Sequence, residues 1–322
     1  MRPAVVPTAI RTRAILAVAS IGGLAAFAWP LLVEPGSMLG AHVSDAPLVF
    51  IAVVPVIVAV VLAEMSSGGI DSKAVAMLGI LSALGAALRP LGAGLGGVET
   101  VFLPLILGGR VFGPGFGFVL GSTTLFASAL LTAGVGPWLP FQMLAASWVG
   151  MGAGLLPRMR GRAEIAVLAA YGAISAIGFG MLMNLWSWPF ALGVGTEASF
   201  VPGDPVLSNL QRLVAFAVAT SLGWDLGRAI TNVVLIVVVG AGVLGALRRA
   251  HRRFAFDSTG RFAPPGASVG GIGQGALPMA VHIGGVPVGG VVDKHPLAHG
   301  VEQTGSVGLE EVLRRQHRPG RA

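Results

Sequence analysis

The sequence predicts an all-α integral membrane protein, a helical bundle of about eight transmembrane spans followed by a disordered cytoplasmic tail. Three observations support this fold class. Only 11% of the 322 residues are charged, whereas a soluble domain carries about 25%. Hydrophobic residues make up 54% of the chain, and the mean hydropathy is +0.81. Several apolar runs also approach the roughly 20 residues that a helix needs to cross a bilayer.

Eight apolar runs follow one another, and charged residues or Pro and Gly bound them. The runs are Ala14–Val33, Ala46–Ala63, Ala74–Leu88, Val101–Phe112, Phe116–Thr132, Phe141–Leu156, Ile165–Trp186 and Leu213–Leu247. The boundaries are Arg11 and Arg13 before the first run, Glu34 and Asp45 before the second, Asp71 and Lys73 before the third, Arg89-Pro90 after it, Gly113-Pro114-Gly115 before the fifth, and Pro140 and Pro157 around the sixth. We expect the first run to be a retained span, because it is longer than the roughly 7–15 apolar residues of a signal peptide.

The last apolar stretch, Leu213–Leu247, is too long for one straight span and short for two. Two spans would place the basic cluster Arg248–Arg253 outside the cell, against the positive-inside bias. We therefore expect one span from about Asp225 to Leu247. The preceding piece, Leu207–Trp224, is then an outer-face or re-entrant helix, or a tilted extension.

The distribution of Arg and Lys indicates the orientation in the plasma membrane. With the N-terminus inside, the short outer segments hold Arg89 and Arg212, and Arg228 lies near the outer end of the last span. The inner segments hold Arg2, Arg11, Arg13, Lys73, Arg110, Arg158, Arg160, Arg162, Arg248, Arg249, Arg252 and Arg253. This asymmetry predicts that both termini are cytoplasmic.

Composition also divides the chain into three parts. Residues 1–73 hold two N-terminal spans, and residues 74–254 form a six-helix membrane core. Residues 255–322 are rich in Gly, Pro, Ser and His and show little periodicity. Such a segment buries too little apolar surface to offset its ordering entropy, so we expect a disordered basic cytoplasmic tail.

The sequence lacks the motifs of several common classes of enzyme and cofactor site. There is no Cys, no phosphate-binding G-x-x-x-x-G-K-[ST] loop, no H-E-x-x-H and no G-x-S-x-G. The six His residues all lie outside the apolar runs, which argues against membrane haem. The basic residues cluster at span ends and form no aromatic-basic module for nucleic acid. We therefore expect no enzyme, no catalytic residue, no metal site and no cofactor.

A stripe of small residues lies in the third run. Gly79, Ala83 and Ala87 recur every fourth residue, and such a stripe lets another helix approach closely. It predicts a docking surface for a partner membrane subunit. The alternative is contact with another helix of the same chain.

Two loops on the predicted outer face are candidates for ligand binding. Residues 89–100 form a Gly-rich loop beginning at Arg89, which could fold over a ligand or could serve as a connector. In Gly134–Gln142, Trp138 and Phe141 offer flat apolar surface, and Gln142 offers both a donor and an acceptor. Trp138 is alternatively an anchor at the membrane interface.

A polar strip begins the last span. It contains Trp224, Asp225, Arg228 and Asn232, and polar residues inside apolar sequence indicate a functional site. Asp225 and Arg228 alternatively form a structural pair that fixes helix registry. Asn184 and Trp186 end the preceding span and could line the same cavity. The predicted substrate-binding residues are Arg89, Trp138, Phe141, Gln142, Asn184, Trp186, Trp224, Asp225, Arg228 and Asn232.

Four motifs resemble those of the substrate-specific (S) components of energy-coupling factor (ECF) vitamin importers. They are Leu107–Gly121, Gly136–Met143, Trp148–Pro157 and Thr220–Arg228, within a resemblance that covers about residues 74–247. The resemblance implies a subunit that binds a vitamin or metal ligand from outside and docks through its first core helix onto a transmembrane coupling subunit. Two ATPases then drive release. Among the subgroups, the chain is most similar to cobalamin-type uptake proteins.

Two features depart from the pattern of the family. The N-terminal pair of spans, residues 14–63, is additional, so the docking helix is not the first in the chain. The usual Ala-xxx-Ala appears as Gly-xxx-Ala-xxx-Ala. The alternatives to an importer subunit are a stand-alone secondary transporter driven by an ion gradient and a non-transporting membrane scaffold subunit. The scarcity of acidic residues in the spans disfavours the secondary transporter.

Overall fold

The computed structural model describes residues 10–32, 58–59, 72–92, 95–191 and 196–260, with side chains in the last helix described to residue 252. Within these ranges every regular element is helical, which confirms the predicted all-α membrane class. The helices are α1 (Ile10–Leu32), α2 (Ser72–Leu88), α3 (Phe102–Phe112), α4 (Pro114–Leu131), α5 (Leu139–Leu155), α6 (Gly161–Ala191), α7 (Val206–Thr220) and α8 (Leu222–Gly260), and a 3-10 turn at Arg89–Gly92 follows α2.

Five of these helices are long and apolar enough to cross a membrane. Their apolar windows are Arg13–Leu31, Lys73–Gly92, Pro114–Leu131, Gly161–Ala191 and Leu222–Arg252. The helices α3 and α7 are apolar but shorter. The predicted second span, Ala46–Ala63, lies outside the described residues except for the helical pair 58–59, so the total of eight spans stays a prediction.

The last apolar stretch forms one long helix preceded by a short one. Helix α7 ends at Thr220, and α8 begins at Leu222 and continues without interruption to Gly260. The chain therefore makes no reversal within α8, which agrees with a single final span. Leu213 and Phe216 of α7 pack against Trp188 near the end of α6. Helix α8 passes the predicted boundary at Phe254, and the remainder of the predicted tail lies outside the described residues.

Glycines bring the backbones of α3, α4 and α5 into direct contact. A Cβ atom at Gly109, Gly117 or Gly150 would overlap the backbone of a facing glycine on a neighbouring helix. Apolar helices gain no hydrophobic drive from association in lipid, so such close backbone approach supplies packing energy instead. Gly109, Gly117 and Gly150 belong to the motifs Leu107–Gly121 and Trp148–Pro157, which therefore have a packing role.

Helices α2 to α6 alternate in direction, so the polar contacts gather at two ends. One end carries Arg89, Glu99 and Gln142 and is called the site end below. At the opposite end, called the Glu164 end, Glu164 accepts hydrogen bonds from Arg110 Nε (2.8 Å) and Arg248 Nη2 (2.6 Å). Because Glu164 is buried, these ion pairs tie α3, α6 and α8 together. The sequence had indicated Arg110 only as a positive loop charge.

Candidate functional site

Arg228, in the second turn of α8, is the centre of a buried ion cluster. Its Nε donates to Glu99 Oε2 (2.5 Å), and its Nη1 donates to Asp225 Oδ1 (2.7 Å). The side chain of Arg228 is 9% exposed, and those of Glu99 and Asp225 are 17% and 8% exposed. The predicted Asp225–Arg228 pair therefore exists, and Glu99 is a third member that the sequence did not single out.

Two aromatic rings enclose the guanidinium of Arg228. Its Cζ lies 5.2 Å from the ring centroid of Phe179 and 5.9 Å from that of Phe102. The two rings also meet edge to face, with centroids 5.2 Å apart. Cation–π contact compensates part of the cost of removing a charge from water. Arg228 is thus contacted by Phe102 of α3, by Phe179 of α6 and by Asp225 of its own helix.

The Gly-rich loop positions Glu99 over the first turns of α8. Gly96 and Gly97 adopt positive φ angles of 52° and 85°, which side chains disfavour. A Cβ at Gly97 would overlap the carbonyl of Trp224, and one at Gly227 would overlap the carbonyl of Gly96. The glycines therefore allow the loop to lie directly on the helix, and this contact delivers the carboxylate of Glu99 to Arg228.

Arg89 forms a second polar group with α4 and α5. Its Nη2 donates to Gln142 Oε1 (3.1 Å), and its Nη1 lies 3.4 Å from Ser128 Oγ. Both partners are uncharged. A guanidinium has five N–H donors, so these two contacts leave three others for further acceptors. The two polar groups lie near each other, because Thr100, which follows Glu99, donates from Oγ1 to the carbonyl of Leu88, which precedes Arg89 (2.7 Å).

Asn184 extends the polar surface onto α6. Its Nδ2 donates to Ser221 Oγ (2.5 Å), and the single proton of this hydroxyl has two acceptors in reach, the carbonyl of Ala217 (3.1 Å) and Asp225 Oδ2 (3.4 Å). Asn232 lies one turn deeper than Arg228 and is fully buried. Its Nδ2 donates to the carbonyl of Gly172 (3.1 Å), whereas its Oδ1 has no hydrogen-bond partner among the described residues.

The four predicted aromatic residues divide into two pairs. Phe141 is fully buried, and its ring centroid lies 5.7 Å from that of Trp186. Trp138 and Trp224 are 40% and 47% exposed. Phe141 and Trp186 therefore belong to the packed interior beside the polar groups, whereas Trp138 and Trp224 lie on the surface.

The small-residue stripe of α2 faces outward. Gly79, Ala83 and Ala87 are all exposed, and no described residue comes within 4 Å of a Cβ placed at Gly79. The opposite face of α2 is buried, and there Ser82 Oγ lies 2.7 Å from Thr123 Oγ1 of α4. The stripe is therefore available for contact with another protein, as far as the described part of the chain is concerned.

Comparison with known proteins assigns the chain to a family. The model of the family described as "ECF transporter, substrate-specific component" matches residues 73–240, which is more than half of the chain and includes α2 to α7 and most of the apolar part of α8. Searches of the curated proteins and of the solved structures gave no match. The fold, the polar site end and the family match agree, and the chain belongs to the substrate-specific components of ECF transporters, multi-pass membrane proteins that bind substrate for a transporter.

Proposed function

We propose that this chain captures a vitamin or related small molecule from outside the cell at its site end. The observation that carries the proposal is the convergence of polar side chains from separate helices at one end of an apolar bundle. Arg89 and Gln142 are hydrogen-bonded to each other at this end. A separate group there consists of the Asp225–Arg228 ion pair and Asn184, and both Asp225 and Asn184 contact Ser221. Polar groups are costly in a membrane protein, so their grouping indicates a binding role.

The chemistry of the site favours a solute with both acceptor groups and flat apolar surface. Arg89 retains N–H donors for acceptors on the substrate, and Gln142 and Asn184 each offer further amide atoms. Trp186, whose ring packs against the buried Phe141, supplies aromatic surface next to these groups. The resemblance to cobalamin-type uptake proteins supports cobalamin as the first substrate to test.

Energy for release comes from other subunits in this proposal. The sequence holds no phosphate-binding loop for ATP. A transmembrane coupling subunit docks on the exposed stripe of Gly79, Ala83 and Ala87, and two ATPases drive the cycle.

The charges support an orientation with the site end outside. Basic residues gather at the Glu164 end, and cytoplasmic loops carry such an excess. They are Arg13, Lys73, Arg110, Arg158, Arg160, Arg162, Arg248, Arg249 and Arg252. Helix α1 begins at this end, because Ser20 contacts Trp148 and Phe27 contacts Phe141 farther along. Both termini are then cytoplasmic.

Replacement of Arg89 by Gln is expected to weaken substrate binding by about 10–100-fold, the effect of losing hydrogen bonds from a charged donor. The purified protein is incubated with an equimolar mixture of water-soluble vitamins that includes cobalamin, and native mass spectrometry identifies and quantifies the bound compound. The matched control is Arg212→Gln, which removes an Arg from the partly exposed pair with Asp204 at the same end. The control should bind like the wild type.

Transport measurements on the same proteins distinguish an importer subunit from a secondary transporter and from a scaffold subunit. Proteoliposomes should accumulate the bound vitamin only when the coupling subunit, the ATPases and ATP are present. Accumulation by the chain alone under a proton or sodium gradient would instead establish a secondary transporter. A wild-type protein that binds none of the vitamins would favour a scaffold subunit and contradict the proposal.

A further inference from the structure

Helix α1 lies outside the family match, which begins at residue 73, yet it is packed onto helices of the substrate-binding core. Ser20 Oγ accepts a hydrogen bond from Trp148 Nε1 of α5 (3.1 Å). A Cβ at Gly23 would overlap the side chains of Leu144 and Trp148. Small residues at this contact let α1 approach α5 closely. The first helix is therefore part of the same packed body as the core.

Two aromatic residues of α1 complete a set of rings that includes two predicted substrate contacts. Phe27 is fully buried and meets Phe141 edge to face, with centroids 4.9 Å apart. Trp29 lies 6.1 Å from Phe190, which lies 6.2 Å from Trp186. Phe141 and Trp186, 5.7 Å apart, join the two contacts. These five residues are called the aromatic wall below, and α1 supplies two of them.

We propose that α1 is a specificity element of the substrate site, with Phe27 as a positioning residue that holds Phe141 and, through it, Trp186. This inference rests on the proposed function. Phe141 directly precedes Gln142, whose Oε1 accepts the hydrogen bond from Arg89. The orientation of the first turn of α5 therefore sets both the ring that packs against Trp186 and the amide that accepts from Arg89.

Phe27 can orient Phe141 because the attraction between two rings depends on their mutual orientation. An aliphatic side chain, by contrast, packs about as well against lipid as against another aliphatic side chain. Between helices in a bilayer, packing geometry decides the arrangement because no hydrophobic drive exists. Edge-to-face pairs add orientation-dependent attraction beyond buried area. Phe27 meets Phe141 edge to face and also packs against Trp148 in a tilted arrangement, with ring centroids 5.7 Å apart. Loss of its ring removes the edge-to-face contact that α1 makes with Phe141.

The test compares two truncations on the same helix. Phe27→Ala removes the ring at the aromatic wall, and Leu16→Ala removes a buried side chain about three turns away toward the Glu164 end. Phe27→Leu restores most of the volume without the ring. Binding is titrated with the equimolar mixture of water-soluble vitamins by native mass spectrometry, and thermal unfolding of each variant is measured in the same detergent. Trp29→Ala, at a half-buried position of the wall, is the second variant if Phe27→Ala does not fold.

We expect Phe27→Ala to lower affinity by about tenfold, from two ring contacts, and Phe27→Leu to recover only part of this loss. Leu16→Ala should lower the unfolding temperature and leave affinity within about threefold of the wild type. The inference would be overturned if Phe27→Ala and Leu16→Ala changed the affinity equally. If Phe27→Ala does not fold, an unchanged affinity of Trp29→Ala would overturn it. A wild-type protein without any bound vitamin would contradict the proposed function, whereas a binding wild type with unaffected wall variants contradicts this inference alone.

Discussion

Replacement of Arg228 by Met is expected to lower the free energy of unfolding by about 3–5 kcal/mol, because it leaves two carboxylates without their buried cation. Glu99 and Asp225 are both bound to this guanidinium, and both are largely buried. Met keeps the apolar stem but offers no charge and no N–H donor. Reversible unfolding of the purified protein in mixed micelles gives the free energy.

A partly exposed ion pair at the same end provides the control. Arg212 and Asp204 lie 2.6 Å apart, but their side chains are 27% and 35% exposed, so Arg212→Met should cost less than about 1 kcal/mol. A triple variant with Glu99→Gln, Asp225→Asn and Arg228→Met removes the unpaired charges and should regain most of the lost stability. If Arg228→Met and Arg212→Met destabilise equally, the buried cluster does not hold the site end together.

Leucine at Gly79 and Ala83 is expected to abolish association with the coupling subunit while leaving vitamin binding intact. Both positions are exposed on α2, and Leu side chains there would prevent close approach of a second helix. Since nothing among the described residues occupies the space beside Gly79, the substitution should not disturb the fold. Co-purification of the coupling subunit from cells that express the whole transporter measures the association.

The chain offers a control with the same residue types and spacing. Gly242 and Ala246 are exposed on α8, and a Cβ at Gly242 also meets open space. Leucine at these two positions adds the same apolar volume to a different helix and should leave the coupling subunit bound. Retention of the coupling subunit by the Gly79 and Ala83 variant would show that the stripe has no part in docking.

The helices were predictable from sequence because a bilayer imposes a length on each of them. Apolar run length placed α1, α2 and α4 within a few residues of their observed bounds. Helix α6 extends to Ala191, past the predicted end at Trp186, and continues through Pro189. The basic residues after Leu247 predicted a single final span from about Asp225, and the last helix begins three residues earlier, at Leu222.

Contacts between residues far apart in the chain could not be predicted from the sequence. The pair Asp225–Arg228 was predictable because helical spacing places the two residues on one face. Glu99 and Arg228 are far apart along the chain, and only the fold of the Gly-rich loop brings them together. Glu164 was missed for the same reason, because its partners come from α3 and α8. The surface position of Trp138 depends on a loop conformation that its residue type does not determine.

The central claim is that the site end, with its polar groups, faces the exterior. The chain has no Cys, so single cysteines can be introduced without a background. Leu95 lies in the Gly-rich loop and is 60% exposed, and Met159 lies in the loop at the Glu164 end and is 36% exposed. Each is replaced by Cys, and intact cells are treated with a membrane-impermeant maleimide.

We expect the maleimide to label Leu95→Cys in intact cells and to label Met159→Cys only after the cells are permeabilised. Labelling of Met159→Cys in intact cells, with Leu95→Cys protected until permeabilisation, would place the site end in the cytosol and contradict substrate capture from outside.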